Sequence, residues 1–258
     1  MIEDVSKYLE AARHATKLGG AELLVRFETG VREQHKNDHH DIGSLVSEAD
    51  HASDKAILDY LKAEFPDHGF QSEESGNDGM TSPFLWSIDP LDGTSNFLRN
   101  IPIFGVSVAL LYKNKPVVGV LHFPKLGYTL YASVGKGAWR DGEQIHASQR
   151  PVNEALYWAG GKYKGASQLH EEIFDAVGFV KIMSCSSYEL ATIASGDAEI
   201  YYLNNCLHDV AAGVVIISEA GGKITDEAGE PWTPSSKMIV ATNGAVHDDV
   251  IQLVRKES

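Results

Sequence analysis

Three acidic groupings in this chain have the residue types and spacing to hold a cation: Glu73-Glu74, the run Asp89-Pro90-Leu91-Asp92-Gly93-Thr94-Ser95, and Asp209 at the head of Val210-Ala211-Ala212-Gly213. The middle run is the most informative. Asp89 and Asp92 lie three residues apart, close enough to share one ion. Pro90 restrains the backbone and is expected to end the strand that reaches it. Gly93 lets the backbone approach a ligand, and Thr94-Ser95-Asn96 can open a helix whose free N–H groups point at an anion. One loop would then supply two carboxylates for a cation and a cradle for a phosphate. Hard oxygen donors, with no His or Cys among them, favour Mg²⁺ over zinc. Each grouping also has a plainer reading. Asp-Gly is a common turn pair, a Glu-Glu pair is usually solvated, and Asp209 could merely cap the helix that Val210 to Ile217 predicts.

The elements that must carry these residues follow from apolar periodicity. Val5 to Phe27 reads as a helix, with Val5, Tyr8, Leu9, Ala12 and Ala15 at helical spacing. Ser47-x-x-Asp50 reads as a capping signal for a second helix, which runs through Ala56, Ile57, Tyr60, Leu61 and Phe65 until Pro66. Gly69–Gln71 and Phe84–Ile88 read as strands that deliver Glu73 and Asp89. Gly105–Tyr112 and Val117–Phe123 form a predicted hairpin across Lys113-Asn114-Lys115-Pro116; Thr129–Ser133 and Ala138–Arg140 extend it, with a turn at Asp141-Gly142. Beyond about residue 155, strand-like and helix-like segments alternate: 156–160, 168–177, 179–183, 187–195, 199–203 and 210–220. That texture predicts an α+β first half (about 1–150) and an α/β second half (about 151–258), layered together as one domain over 1–258.

The bulk properties limit the partners. The chain has 258 residues, 43% hydrophobic and 22% charged, with a formal net charge of −14. Such a surface repels nucleic acid and anionic membranes, so neither is an expected partner. It also repels an anionic substrate, unless bound metal reverses the local field. Met1-Ile2-Glu3-Asp4 lacks the apolar run of a signal peptide, and no segment has the ~20 apolar residues of a membrane span. Cys185 and Cys206 are the only cysteines and are expected as free thiols, which fits a cytoplasmic protein. No Gly-rich loop ending in Gly-Lys-Ser/Thr is present, which argues against an NTPase.

In identity, order and spacing, Glu73-Glu74, Asp89-Pro90-Leu91-Asp92-Gly93-Thr94 and Asp209-Val210-Ala211-Ala212-Gly213 with Glu219-Ala220-Gly221-Gly222 resemble the inositol monophosphatase family. The likeness covers nearly the whole chain, including Val106–Leu110 and Gly135-Lys136-Gly137-Ala138. It implies a layered α-β-α-β-α sandwich of the inositol monophosphatase and fructose-1,6-bisphosphatase type, often homodimeric. It also implies a phosphoric monoester hydrolase using two to three Mg²⁺ ions, with Mn²⁺ as a substitute. Carried over residue by residue, Glu73, Asp89 and the Leu91 carbonyl look like ligands of a first ion. Asp89, Asp92 and Asp209 look like ligands of a second, and Glu73 like the anchor of a third through water. Asp92, Gly93, Thr94 and Asp209 look like the substrate phosphate site, with Ser184, Cys185 and Ser186 on the substrate wall. Glu73 and the Thr94 hydroxyl are the expected catalytic groups that orient or deprotonate the attacking water.

Three departures from the family pattern bear on activity and substrate. Ser44-Leu45-Val46-Ser47 stands where many members have Asp-Leu-Val-Thr, so a carboxylate is expected to be missing at 44, with Asp41 or Glu73 serving instead. Tyr201 to Cys206 lacks the Glu of inositol-specific members, leaving Asn204 or Asn205 to bind hydroxyls, and His208 replaces the usual Trp as a packing residue. The small cluster His35, His39 and His40 reads as a solvated loop. The preferred substrate is a small polyol or sugar phosphate of the inositol phosphate kind. Histidinol phosphate, to which Phe65-Pro66-Asp67-His68-Gly69 points, fructose 1,6-bisphosphate and adenosine 3′,5′-bisphosphate are the alternatives. A metal-binding regulatory protein without turnover is the alternative from another class.

Overall fold

A computed structural model describes residues 5–29, 33–35, 45–160 and 171–256. Ser44, Asp41, His39 and His40 fall outside the described residues, and of His35 only the backbone is described.

Helices α1 (Ser6–Thr29) and α2 (Glu48–Glu64) match the two predicted at the start of the chain. Between them lie the short paired strands β1 (Glu33–His35) and β2 (Leu45–Ser47). Next come β3 (Gly69–Ser72), β4 (Gly76–Asn77), β5 (Phe84–Asp92), the short helix α3 (Thr94–Leu98), β6 (Gly105–Tyr112) and β7 (Lys115–Phe123). The meander ends with β8 (Tyr128–Ser133), β9 (Ala138–Arg140) and β10 (Glu143–Ile145). These eight strands form one sheet in the order β10-β9-β8-β7-β6-β5-β3-β4. The β6–β7 hairpin closes on Lys113-Asn114, both at positive φ (49° and 62°), the geometry a two-residue turn demands of the right-handed strand twist.

The second half supplies β11 (Leu156–Ala159), α4 (Glu171–Ala176), β12 (Phe179–Lys181), α5 (Ser186–Ala194), β13 (Ile200–Asn204), α6 (Leu207–Glu219), β14 (Lys223–Asp226), β15 (Met238–Thr242) and α7 (His247–Lys256). Its sheet runs β12-β11-β13-β15-β14; β11 pairs in parallel with β12 and β13, and β15 is antiparallel to both neighbours. Helices between parallel strands match the alternation seen in the sequence.

Side-chain alternation along the strands builds five layers. Val106, Val108 and Leu110 of β6, with Val118 and Val120 of β7, pack under α1 and α2. Ala109, Leu111, Leu121 and Phe123, on the opposite face, pack against α5 and α6, which also cover Tyr201, Leu203, Ile239 and Ala241 of the second sheet. The far face of that sheet, with Ile200 and Val240, lies against Ile173 of α4 and Val250, Ile251 and Val254 of α7. The order is helix, sheet, helix, sheet, helix, as the family resemblance implied. Among the described residues, no helix is long and apolar enough to cross a membrane.

One local expectation needs correction. Pro90 does not end β5: the strand runs to Asp92, with a register shift between Asp89 and Asp92. Neighbouring strands hold the backbone on both sides up to that point, so the missing N–H of Pro90 yields an irregularity instead of a stop. His68 is 9% exposed, takes a hydrogen bond from Trp86 Nε1 at 3.1 Å and stacks on Phe84, so it belongs to the aromatic core beside Tyr8.

Candidate active site

Each acidic group arrives on its own element, and backbone pairing sets their registry. β3 and β5 are parallel with Ser72 opposite Ile88, and Glu73 N donates to Ile88 O at 3.1 Å, which fixes Glu73 alongside Asp89. On the other side Asp89 faces Ser107 of β6, whose hydroxyl donates to the His208 carbonyl at 3.0 Å. That bond ties the first turn of α6, with Asp209, to the strand beside Asp89. Asp209 is the third residue of α6 and Cys206 is its N-cap, so Asp209 is not the cap itself.

The loop after Asp89 is fixed from within. Leu91 N donates to Asp89 Oδ1 (3.0 Å), Ser53 Oγ to the Pro90 carbonyl (2.8 Å) and Thr94 Oγ1 to the Leu91 carbonyl (3.0 Å). Gly93 is at φ 85°, and a Cβ there would lie 2.9 Å from the Ile103 carbonyl. Asp92 commits Oδ2 to Ser187 N at the start of α5 (2.5 Å) and to Cys185 Sγ (3.2 Å), where the free N–H end of the helix favours its charge.

The electrostatics are those of carboxylates crowded together. Asp89 is 1% exposed. Burial pushes its carboxyl well above the usual range, and the negative charges of Glu73, Asp92, Asp209 and Asp50 push it further. Asp209 is raised by burial and by Asp92 and Glu73, an effect partly offset by a hydrogen bond with Asp89. Among the described residues no lysine or arginine is ion-paired with Asp89, Asp92 or Asp209. His208 approaches Asp209 at 3.2 Å, but burial lowers its pKa and keeps it neutral. Buried carboxylates normally pair with a cation or hold a metal. Several hard oxygens without a neutralising side chain fit a small divalent ion such as Mg²⁺.

The chain matches the inositol monophosphatase family over residues 4–258. It belongs to the inositol monophosphatase family. It is 32% identical over 270 residues to the fructose-1,6-bisphosphatase/inositol-1-monophosphatase of Aquifex aeolicus, covering 99% of this chain and 98% of the relative. It is 32% identical to the inositol-1-monophosphatase of Synechocystis sp., covering 96% and 89%. The solved inositol monophosphatase of Anabaena (Nostoc) sp. PCC 7120 superposes with a TM-score of 0.86 at 29% identity, over 98% of this chain and 96% of the other. The family comprises phosphoric monoester hydrolases, and this chain is one of them.

Several expectations change in the structure. Asp50, read in the sequence as part of a capping signal, is 2% exposed, and its charge acts directly on Asp89. It adds a carboxylate beside Asp89 that the sequence reading did not count, and the Ser47-x-x-Asp50 pattern was the signal for it. Cys185 is 1% exposed and lies beneath Asp92 and Gly93, so its thiol supports the loop and does not face an open wall. Ser184 is exposed at φ 57°, and Ser186 Oγ meets Tyr201 Oη at 3.2 Å. Asn205 is spent on structure: its Nδ2 donates to the Ser236 and Pro234 carbonyls (2.8 and 3.2 Å), and its Oδ1 accepts from Trp232 (2.9 Å). Asn204, which is exposed, is left as the hydroxyl-binding candidate of the pair. His208 is not a packing filler, since Nε2 lies 3.0 Å from Cys206 Sγ and 3.2 Å from Asp209. Both cysteines are free.

Proposed function

We propose that the protein is a Mg²⁺-dependent phosphatase of a small polyol or sugar phosphate, with an inositol phosphate as the first choice. The observation that carries this reading is the gathering of Glu73, Asp89, Asp92 and Asp209 with, among the described residues, no lysine or arginine ion-paired with the three aspartates. Glu73, Asp89 and the Leu91 carbonyl would hold one ion; Asp89, Asp92 and Asp209 a second; Glu73 would anchor a third through water. Bound there, Mg²⁺ lowers the pKa of water and stabilises charge on the leaving alkoxide. Asp92 keeps one oxygen on α5 and leaves the other for the ion. Thr94 steadies the Leu91 carbonyl and can accept a hydrogen bond from the attacking water. Glu73 and Asp50 are the carboxylates that take its proton. The water oxygen bonds to phosphorus as the ester P–O bond breaks, giving alcohol and inorganic phosphate.

The double name of the Aquifex relative supports fructose 1,6-bisphosphate as a second substrate. Exposed Phe174, Phe179 and Ile182 support assembly as a homodimer, and two free thiols fit a reducing cytoplasm. Phosphate release from inositol 1-phosphate, fructose 1,6-bisphosphate, histidinol phosphate and adenosine 3′,5′-bisphosphate, with and without Mg²⁺, tests the proposal. The highest kcat/KM should fall on inositol phosphate. No hydrolysis of any of them with Mg²⁺ or Mn²⁺ would overturn the reading in favour of a regulatory metal-binding protein.

A further inference from the structure

We propose that Cys206, His208 and Asp209 form a second kind of metal site, for a soft divalent cation of the Zn²⁺ or Cd²⁺ class, which shares Asp209 with the Mg²⁺ centre and shuts it off. Among the described residues, these three are the group whose sulfur, nitrogen and oxygen donors all lie within 4.8 Å of one another. Cys206 Sγ is 3.0 Å from His208 Nε2, which is 3.2 Å from Asp209 Oδ1. Bond lengths of about 2.3 Å to sulfur and 2.0–2.1 Å to nitrogen or oxygen set the edges of a tetrahedral zinc site at about 3.6 Å (S–N) and about 3.3 Å (N–O). The N–O edge is in place, and the S–N edge needs to open by about half an ångström, within reach of a χ1 adjustment at Cys206. Glu73 Oε2, 4.0 Å from the same nitrogen, stands on the open side as a fourth ligand or leaves that place to water.

The donor set differs in kind from the all-oxygen set beside it. Thiolate and imidazole select zinc-like ions, whereas Mg²⁺ gains nothing from them. Their origin is local: Cys206 caps α6, and His208 and Asp209 follow in its first turn, so one helix start presents all three. His208 and Asp209 keep 18% and 26% of their side-chain surface exposed, which gives an ion a path in. Binding releases the Cys206 thiol proton to solvent and replaces the contact between Cys206 and His208. An ion here takes one oxygen of Asp209 and adds positive charge beside the Mg²⁺ positions, so it competes with Mg²⁺.

Ion capture is independent of the proposed activity; only the inhibitory consequence rests on Asp209 as a Mg²⁺ ligand. Metal-free protein is titrated with Cd²⁺ while the ultraviolet sulfur-to-cadmium charge-transfer absorption is followed, in wild type, Cys206→Ser and His208→Gln, each checked for folding by circular dichroism. Zinc inhibition of Mg²⁺-dependent phosphate release is measured in parallel, relative to each protein's own zinc-free rate. The expected result is a band saturating at one equivalent in wild type and absent in Cys206→Ser. Half-inhibition by zinc should require at least about tenfold more in both variants, since losing even a group that supports a ligand costs about 10–100-fold in affinity. No band, a band that survives in Cys206→Ser and so belongs to Cys185, or unchanged zinc sensitivity overturns the proposal. If none of the proteins releases phosphate, the functional reading fails, and the cadmium band still decides the site.

Discussion

Asp92→Asn separates the chemistry of the site from the stability of the fold, because the two should move in opposite directions. Asp92 Oδ2 accepts from Ser187 N and Cys185 Sγ, so the asparagine oxygen must take that position. Its NH₂ then points where the second ion needs a donor lone pair, and two N–H groups there repel a cation. Turnover with Mg²⁺ should fall by at least the ~10²–10³ that loss of one transition-state-stabilising group costs. The metal-free protein should become more stable. After burial, the Asp92 charge helps to raise the pKa of both Asp89 and Asp209. Removing that charge relieves like-charge repulsion among buried carboxylates, which favours the folded metal-free protein. Against this, replacing the charge-assisted bond to Ser187 N by a neutral one costs about 1 kcal/mol. Relief of the repulsion should outweigh that loss, so the metal-free Tm should rise, by about 2–4 °C for each kcal/mol gained in a chain near this size. Thermal unfolding in EDTA, beside phosphate release in Mg²⁺, reads both effects. A wild-type rate refutes the ligand assignment, and a falling metal-free Tm refutes the electrostatic argument.

Three further expectations follow from particular side chains. Gly93→Ala puts a Cβ 2.9 Å from the Ile103 carbonyl at φ 85°, so it should lower both stability, by about 1–2 kcal/mol or more, and kcat; unchanged values in melting and phosphate release would count against a strained loop. His247 is 1% exposed between the Thr225 and Thr242 hydroxyls, with a pKa lowered to about 4 by burial first. The unfolded chain therefore binds the extra proton below about 6.5, so stability is lost as pH falls from 6.5 towards 4; the loss is about 2 kcal/mol by pH 5, and denaturant titrations should show the slope shrink in His247→Gln. Because Asp50 brings a buried carboxylate to Asp89, Ser44→Asp should leave kcat equal or higher while Asp50→Asn lowers it; the reverse ranking would restore position 44 to the mechanism.

What the sequence disclosed and what it hid divide along the range of the contacts involved. Asp89, Asp92 and Gly93 were legible because one short loop holds two carboxylates beside a glycine whose positive φ the structure uses. The five layers were implied by the family resemblance, while the alternating segments beyond residue 155 foretold the helices between parallel strands. Pro90 misled because its local preference was weighed without the strands that flank β5. Asp50 was hidden by ambiguity, since a carboxylate in the first turn of α2 reads equally as a helix-start signal. The engagement of Asn205 with residues 232–236, and of Cys185 with Asp92, joins segments about 30 and 93 residues apart and left no mark at either end.

The joining of the two halves depends on a feature with no chemistry of its own. Ala109, Gly119, Ala132 and Ala138 stand side by side across β6, β7, β8 and β9. This row of small residues lets α6 lie almost on the sheet, and α6 carries Asp209 to the carboxylates of β5. The closest approach is at Gly119, where a Cβ would sit 2.4 Å from the Ala212 carbonyl oxygen and 2.9 Å from its Cα. Those are backbone atoms of a helix, so no rotamer relieves the clash; α6 must move by about 1 Å to reach ordinary contact at 3.4 Å. Asp209 lies one helical turn before Ala212 and moves with it. A displacement of about 1 Å at a catalytic group costs on the order of 10²-fold, and overpacking of this kind about 1–3 kcal/mol. Gly119→Ala should therefore lower kcat by about 10² and raise the Mg²⁺ concentration for half-maximal activity, at a position that touches neither ion nor substrate. If the variant melts 2–4 °C or more lower, as about 1 kcal/mol predicts, yet keeps its rate and its Mg²⁺ dependence, then α6 does not set the position of Asp209 and the link between packing and chemistry fails.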